Sequence, residues 1–279
     1  MMAASIPAVT RDLPVLVIGL ARTGVAVVRF LAGVGARVRA VDRRAAGELG
    51  DVVSELAPSA ELVLGAEDPA VLDGVALVVP SPGVPADGPL LTAAMARGIP
   101  IVSEIELASR YLDIPFLAVT GTNGKSTTTT LLGTMLRAAG RRTFVGGNLG
   151  TPLVSAIGGG DEVAVVEVSS FQLEWVDHFR PQVGILLNLT DDHLDRYADL
   201  EAYGQAKLRL FARQDASDTA VLNGGDAWLR RHAHDFAART LWFGAGAGVA
   251  IRADEAAIRL RLGGTEEVYP LARVALAGA

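Results

Sequence analysis

FLAVTGTNGKSTTTTLLGTML, residues 116–136, contains the transition that decides the fold. A short apolar run, too short for a helix and rich enough to be buried on both faces, reads as a strand of a covered parallel sheet. It runs into Gly121-Thr122-Asn123-Gly124-Lys125-Ser126-Thr127 and then into a pattern with helical period. Glycines let backbone N–H groups turn toward one point, and the helix that follows presents its positive end there. Lys125 can reach the outer phosphates of a bound nucleotide, and the Ser126 hydroxyl can ligate Mg²⁺. Position 119 is Val where the general GxxxxGK[ST] pattern has Gly, so the loop is a shortened form. An ordinary Gly-rich turn opening a helix is the alternative. The helix is expected to bury Leu131, Leu132, Met135, Leu136 and Ala139 and to end at Gly140.

Working outward, PVLVIG (14–19), RVRAVD (37–42) and VALVVP (75–80) read as three more strands. A helix from about Val25 to Val34 follows the first. Downstream, strands are expected at 163–168, 184–189, 219–222 and 240–243. Short alternating segments beyond Val249 suggest a small antiparallel flap. The expected fold is α/β: a Rossmann-like N-terminal domain at 1–112, then a P-loop-type central domain with a mostly parallel sheet at 113–279.

Three residues stand out in the second part. Glu167 ends an apolar strand, where a buried carboxylate needs a partner or a metal, and α/β crevices open at such strand ends. It is either a Mg²⁺ ligand or a structurally satisfied acid. His193 follows the next strand in NLTDDH; a lone histidine is more often structural, and this position favours function. Lys207 shares a helical stripe with Leu200, Tyr203 and Leu210. An inward ammonium must meet an anion, lose its proton or be modified, whereas a lysine snorkelling at the helix margin needs none of these. In the first part, Gly19-Leu20-Ala21-Arg22-Thr23-Gly24 with Asp42 is similar to a dinucleotide fingerprint, but Ala21 replaces the second glycine.

The 279 residues, half of them hydrophobic, can bury two cores. A net charge of −6 argues against a broad nucleic-acid or anionic-membrane surface. The chain has no cysteine, so disulfides and thiolate metal sites are excluded. There is no secretory pattern and no run near the roughly 18 apolar residues of a membrane span. No nucleic acid, no membrane and a cytoplasmic location are the expectations.

Taken in order, GLARTG (19–24), SPG (81–83), TGTNGKST (120–127), GGNLG (146–150), VEVSSFQLE (166–174), NLTDDHLDRY (188–197) and YGQAK (203–207) resemble the Mur ligases, most closely their D-glutamate-adding branch. The resemblance covers nearly the whole chain. It implies ATP-dependent amide formation through an acyl phosphate in peptidoglycan precursor synthesis, with UDP-N-acetylmuramoyl-L-alanine and D-glutamate as substrates and a monomer as the working form. By the same resemblance, Gly121 to Thr127 hold the ATP phosphates, and Ser126 and Glu167 bind one Mg²⁺. His193 and a carbamylated Lys207 serve a second Mg²⁺, with Lys125, His193 and Lys207 as the catalytic set. Asn148 contacts the muramoyl substrate, and Thr23, Asp42, Arg43, Ser81 and Gly83 line a UDP pocket. The family's HNxxN-type segment and third domain do not occur in these residues, so the chain alone is expected to be inactive. A related ligase with another acceptor, such as a folate-type one, an NAD-linked oxidoreductase built on the first loop, and a non-catalytic nucleotide-binding fragment remain the alternatives.

Overall fold

The computed structural model describes residues 6–148, 150–192, 196–233, 236–246, 248–254, 256–262 and 264–270. Among these, the strands form two separate sheets. The first contains β1 (Pro14–Ile18), β2 (Arg37–Asp42), β3 (Glu61–Leu64) and β4 (Leu77–Pro80), in the order β3-β2-β1-β4 and parallel throughout. Alternate residues of β1 serve two cores, as a pleated strand requires. Val15 and Val17 pack with Val27, Val28 and Leu31 of the Arg22–Gly33 helix, and Leu16 and Ile18 with Leu90, Leu91 and Ala94 of the Pro89–Ala96 helix. The sheet's central strand β1 and its neighbour β4 are covered on both faces, so they carry the continuous apolar runs seen in the sequence.

The second sheet contains β5 (Phe116–Thr120), β6 (Thr143–Gly147), β7 (Val163–Glu167), β8 (Val183–Leu186), β9 (Thr219–Asn223), β10 (Arg239–Phe243), β11 (Ile251–Ala253), β12 (Ala257–Leu262) and β13 (Thr265–Pro270). Their order is β13-β12-β11-β10-β9-β8-β5-β7-β6. Pairing is parallel from β6 to β11 and antiparallel from β11 to β13, so the expected flap continues the sheet at one edge. Strands β3 and β6 were not expected. The first is a four-residue edge strand of partly exposed residues, and the second ends in two glycines, which carry no apolar signal.

The helix after the phosphate loop, Lys125–Ala138, corrects the expected stripe. Leu131 is 42% exposed and Met135 59% exposed, Ala139 faces solvent, and the buried positions are Thr129 and Gly133. A Cβ on Gly133 would lie 2.2 Å from Val145 Cγ2, so the helix rests on β6 through its smallest residue. Close backbone approach leaves Leu131 and Met135 on the outer face, while Leu132 and Leu136 of the expected stripe are half-buried.

The six-residue helix Glu104–Ser109 joins the two sheets, and its carboxylates point into the second. Glu106 accepts from the backbone N–H groups of Asp177, His178 and Phe179 at 2.8–2.9 Å and from Arg110. Glu104 accepts from Val154 N–H at 2.6 Å, while its other carboxyl oxygen has no partner and burial pushes its pKa up to about 7. The seam is closed by Ser103 N–H donating to Trp175 O and by Arg196 donating to Val84 O.

Candidate active site

β5 lies between β7 and β8, with Val119 opposite Glu167 on one side and Ile185 on the other. The loop after β5 therefore leaves the carboxyl edge of the sheet flanked by the last residue of β7 and the first residues beyond β8. Ligand crevices of parallel sheets open at this edge. Gly121 has φ +149° and Gly124, capping the following helix, has φ +83°. Both values favour glycine.

The loop's cations turn inward. Lys125 Nζ donates to the carbonyls of Gly121 at 2.9 Å and Thr122 at 2.8 Å. Lys207 Nζ reaches the same Gly121 carbonyl at 3.0 Å, from a helix (Leu200–Leu208) that buries it to 1% exposure against the ring of Tyr203. The inward stripe of Tyr203, Lys207 and Leu210 is thus as expected, and the snorkelling alternative does not describe Lys207. Burial first, and the positive charge of Lys125 second, pull its pKa down to about 7, against a smaller opposing pull from Asp192.

Glu167, 3% exposed, accepts from Ser126 Oγ at 2.7 Å and from Asn148 Nδ2 at 2.8 Å. Carboxylate and hydroxyl oxygens adjoining a phosphate loop form the donor set that a hard cation such as Mg²⁺ prefers, so the residues fit that ion. Asn148 sits at the end of β6, against Glu167. Two residues on, the Gly150 carbonyl accepts from Arg22 of the first half at 2.8 Å, so one turn touches both parts of the chain. Among the described residues no cluster of three His, Cys, Asp or Glu side chains surrounds a point. His193 lies outside the described residues.

The first loop is built differently. Asp42 accepts from Leu20 N–H at 2.7 Å and from the Arg44 side chain and backbone, and the Arg44 guanidinium holds its pKa down at about 2. Ser81 Oγ donates to Gly19 O. Asp42, Arg43, Ser81 and Gly83 line a cleft of about 330 Å³ together with Arg44 and Glu67. Thr23 lies in the first turn of the neighbouring helix and does not line that cleft. Arg44 was missed in the sequence, although a second arginine beside an acid at a strand end was the available signal.

A parallel sheet with a phosphate loop at its carboxyl edge, joined to a smaller Rossmann-like sheet with its own cleft, defines a two-sheet nucleotide-binding α/β protein. The Mur ligase middle domain matches residues 119–270, and the Mur ligase MurD-like N-terminal domain matches residues 14–103. The chain belongs to the Mur ligase family. It is 48% identical over 269 residues to the UDP-N-acetylmuramoylalanine--D-glutamate ligase of Geobacter metallireducens, covering 95% of this chain and 60% of that protein. It is 52% identical over 230 residues to the same-named protein of Trichlorobacter lovleyi, covering 81% and 52%. The chain thus spans between about half and three fifths of these relatives. The crystal structure of a UDP-N-acetylmuramate:L-alanyl-gamma-D-glutamyl-meso-diaminopimelate ligase from Neisseria meningitides superposes with a TM-score of 0.61 at 21% identity, over 91% of this chain and 85% of that one, and supports the fold. Among the described residues no helix is long and apolar enough to cross a membrane.

Proposed function

We propose that this chain carries the UDP-substrate-binding and ATP-binding parts of a cytoplasmic, monomeric ligase that adds D-glutamate to UDP-N-acetylmuramoyl-L-alanine. The observation that carries the reading is the convergence of Lys125, Ser126, Glu167 and Lys207 around one loop. The names of the relatives supply the substrates. The division at 1–112 and 113–279 belongs to this reading, with Thr23, Asp42, Arg43, Ser81 and Gly83 serving the uridine nucleotide and Asn148 the muramoyl part.

In this reading Lys125 releases the loop carbonyls and follows the γ-phosphate, while the N–H groups of residues 121–127 hold the phosphate chain. Ser126 and Glu167 would hold one Mg²⁺, and His193 and Lys207 would serve a second; the ions would supply charge neutralisation. The terminal carboxylate of the UDP substrate attacks the γ-phosphorus and ADP departs, leaving an acyl phosphate. The amine of D-glutamate then attacks the acyl carbon, phosphate leaves, and the amine gives up a proton. Positioning and charge neutralisation do most of the work in such a transfer. Lys207 has the property a carbamate needs, an amine whose pKa burial pulls down to about 7, so that a large share of it is unprotonated near neutral pH. Its nitrogen bonds to the carbon of CO₂ and loses one proton, which leaves an anionic ligand.

The test is phosphate release with UDP-N-acetylmuramoyl-L-alanine and a panel of amino acids, run on this chain and on the chain joined to the remaining part of a relative. D-glutamate-specific release by the joined form is expected. Release with another amino acid, or tight NADH binding without uridine-nucleotide binding, would sink the assignment. For Lys207, activity of a Lys207→Ala variant is expected to return in part with short-chain carboxylic acids; no rescue removes the carbamate and leaves the ligase.

A further inference from the structure

We propose that Asn188 is a positioning residue for the phosphate loop, a side-chain clasp that fixes the loop's tip in its phosphate-receiving shape. The functional part rests on the ATP reading above. The β5–β8 ladder continues past both strands: Leu187 N–H donates to Thr120 O at 3.0 Å and Thr122 N–H to Asn188 O at 3.1 Å. One step further the backbones part, and the Asn188 carboxamide supplies the next rung. Its Oδ1 accepts from Asn123 N–H at 2.9 Å and its Nδ2 donates to Asn123 O at 3.1 Å. A primary amide offers a donor and an acceptor side by side, as a peptide group does, and this pairing satisfies both main-chain groups of Asn123. Thr122 closes the other side, its Oγ1 donating to Thr190 O and accepting from Thr190 N–H.

The clasp is itself anchored from below. Asn223 Nδ2 donates to Leu187 O, and the Asp226 carboxylate, which caps the Ala227–His232 helix, accepts from Leu189 N–H. Residues 187–189 are thus held on both flanks of Asn188. Gly121 admits them closely: a Cβ there would meet Leu187 Cβ at 3.0 Å and Asn188 N at 3.4 Å. The loop's shape is thus fixed by bonds within the protein itself, and a loop so held lowers the ordering cost of binding. Asn123 and Gly124 are the positions whose freedom the clasp removes.

The experiment pairs two readouts on the full chain. Asn188→Ala is expected to weaken binding of a non-hydrolysable ATP analogue with Mg²⁺ by roughly tenfold or more, the loss of two hydrogen bonds from a preorganised loop. Binding of a uridine diphosphate probe at the first cleft should stay within about twofold of the parent. Amide exchange should show Asn123 N–H protected in the parent and unprotected in Asn188→Ala, whether or not the nucleotide binds. Asn188→Asp keeps the acceptor and loses the donor, so it should retain the protection at Asn123. Equal analogue affinity in parent and Asn188→Ala, unchanged exchange at Asn123, or parallel loss of both ligands would overturn the proposal. A parent that binds no ATP analogue refutes the functional reading, and the exchange result then decides the clasp by itself.

Discussion

The two glycine loops occupy equivalent places, each after the first strand of its sheet, yet they are held by opposite means. The first is tied down by an acid: Asp42, from the neighbouring strand, takes Leu20 N–H and Arg44, and Ser81 secures Gly19. The second is tied down by lysine amines and an amide, with Lys125 and Lys207 on the Gly121 carbonyl and Asn188 on Asn123. A loop held by a carboxylate at its back has spent an acid where a phosphate-binding loop needs positive charge. A loop whose own carbonyls are capped by the Lys125 ammonium keeps a cation that a triphosphate can draw outward. The difference shows how two glycine-containing loops, each following a parallel strand, can be built for different ligands.

Removing the cation of the second loop should give the largest effect. Lys125→Ala is expected to weaken ATP-analogue binding by about 100-fold while leaving uridine diphosphate binding at the first cleft intact, measured by calorimetry. Comparable loss of both ligands would show that the two loops are not separable. The converse break is Gly24→Ala. Its Cβ would come within 1.8 Å of Gly19 O, so the first loop must move, at about 3 kcal/mol of stability in urea denaturation. An unchanged midpoint would contradict the close packing of that loop.

The comparison sharpens with pH. In the folded chain Lys207 releases its proton near pH 7, whereas the unfolded side chain holds it to about 10.5. Between those values the unfolded state binds more protons, so stability rises with pH, by at most about 1.4 kcal/mol per unit. Lys207→Met should remove that rise between pH 7 and 9, read from denaturation midpoints; a slope unaffected by the substitution would mean another group carries it. The smallest effect tests the corrected helix face. Leu131→Gln and Met135→Gln, on the exposed side, should shift stability by less than about 0.5 kcal/mol, where buried residues would cost several times more.

Legibility followed chemistry more closely than packing. The phosphate loop could be read because strand, glycines, Lys125-Ser126 and helix occur in one unbroken stretch. Lys207 drew notice because a charge on an apolar helical stripe conflicts with its surroundings, although the stripe alone left a snorkelling side chain open. The inner face of the Lys125–Ala138 helix was misread because its packing is decided by Gly133 against Val145, a contact across the chain that periodicity cannot register. Asn188 was passed over because it fell within the strand expected at 184–189, and its partner lies 65 residues away. Glu104 and Glu106 were not singled out, since acids in a stretch between two strands give no signal of burial; both are buried, their acceptor oxygens completing backbone segments of the second half.

That last arrangement bears on how the molecule can be taken apart. A fragment begun at residue 113 would cut away both acids and strip the N–H groups of Val154, Asp177, His178 and Phe179 of their carboxylate partners. A fragment begun ahead of Ser103 keeps them, along with the bond from Ser103 to Trp175. The short helix lies beside the first sheet in sequence, but a knife guided by hydrogen bonds would leave it with the second.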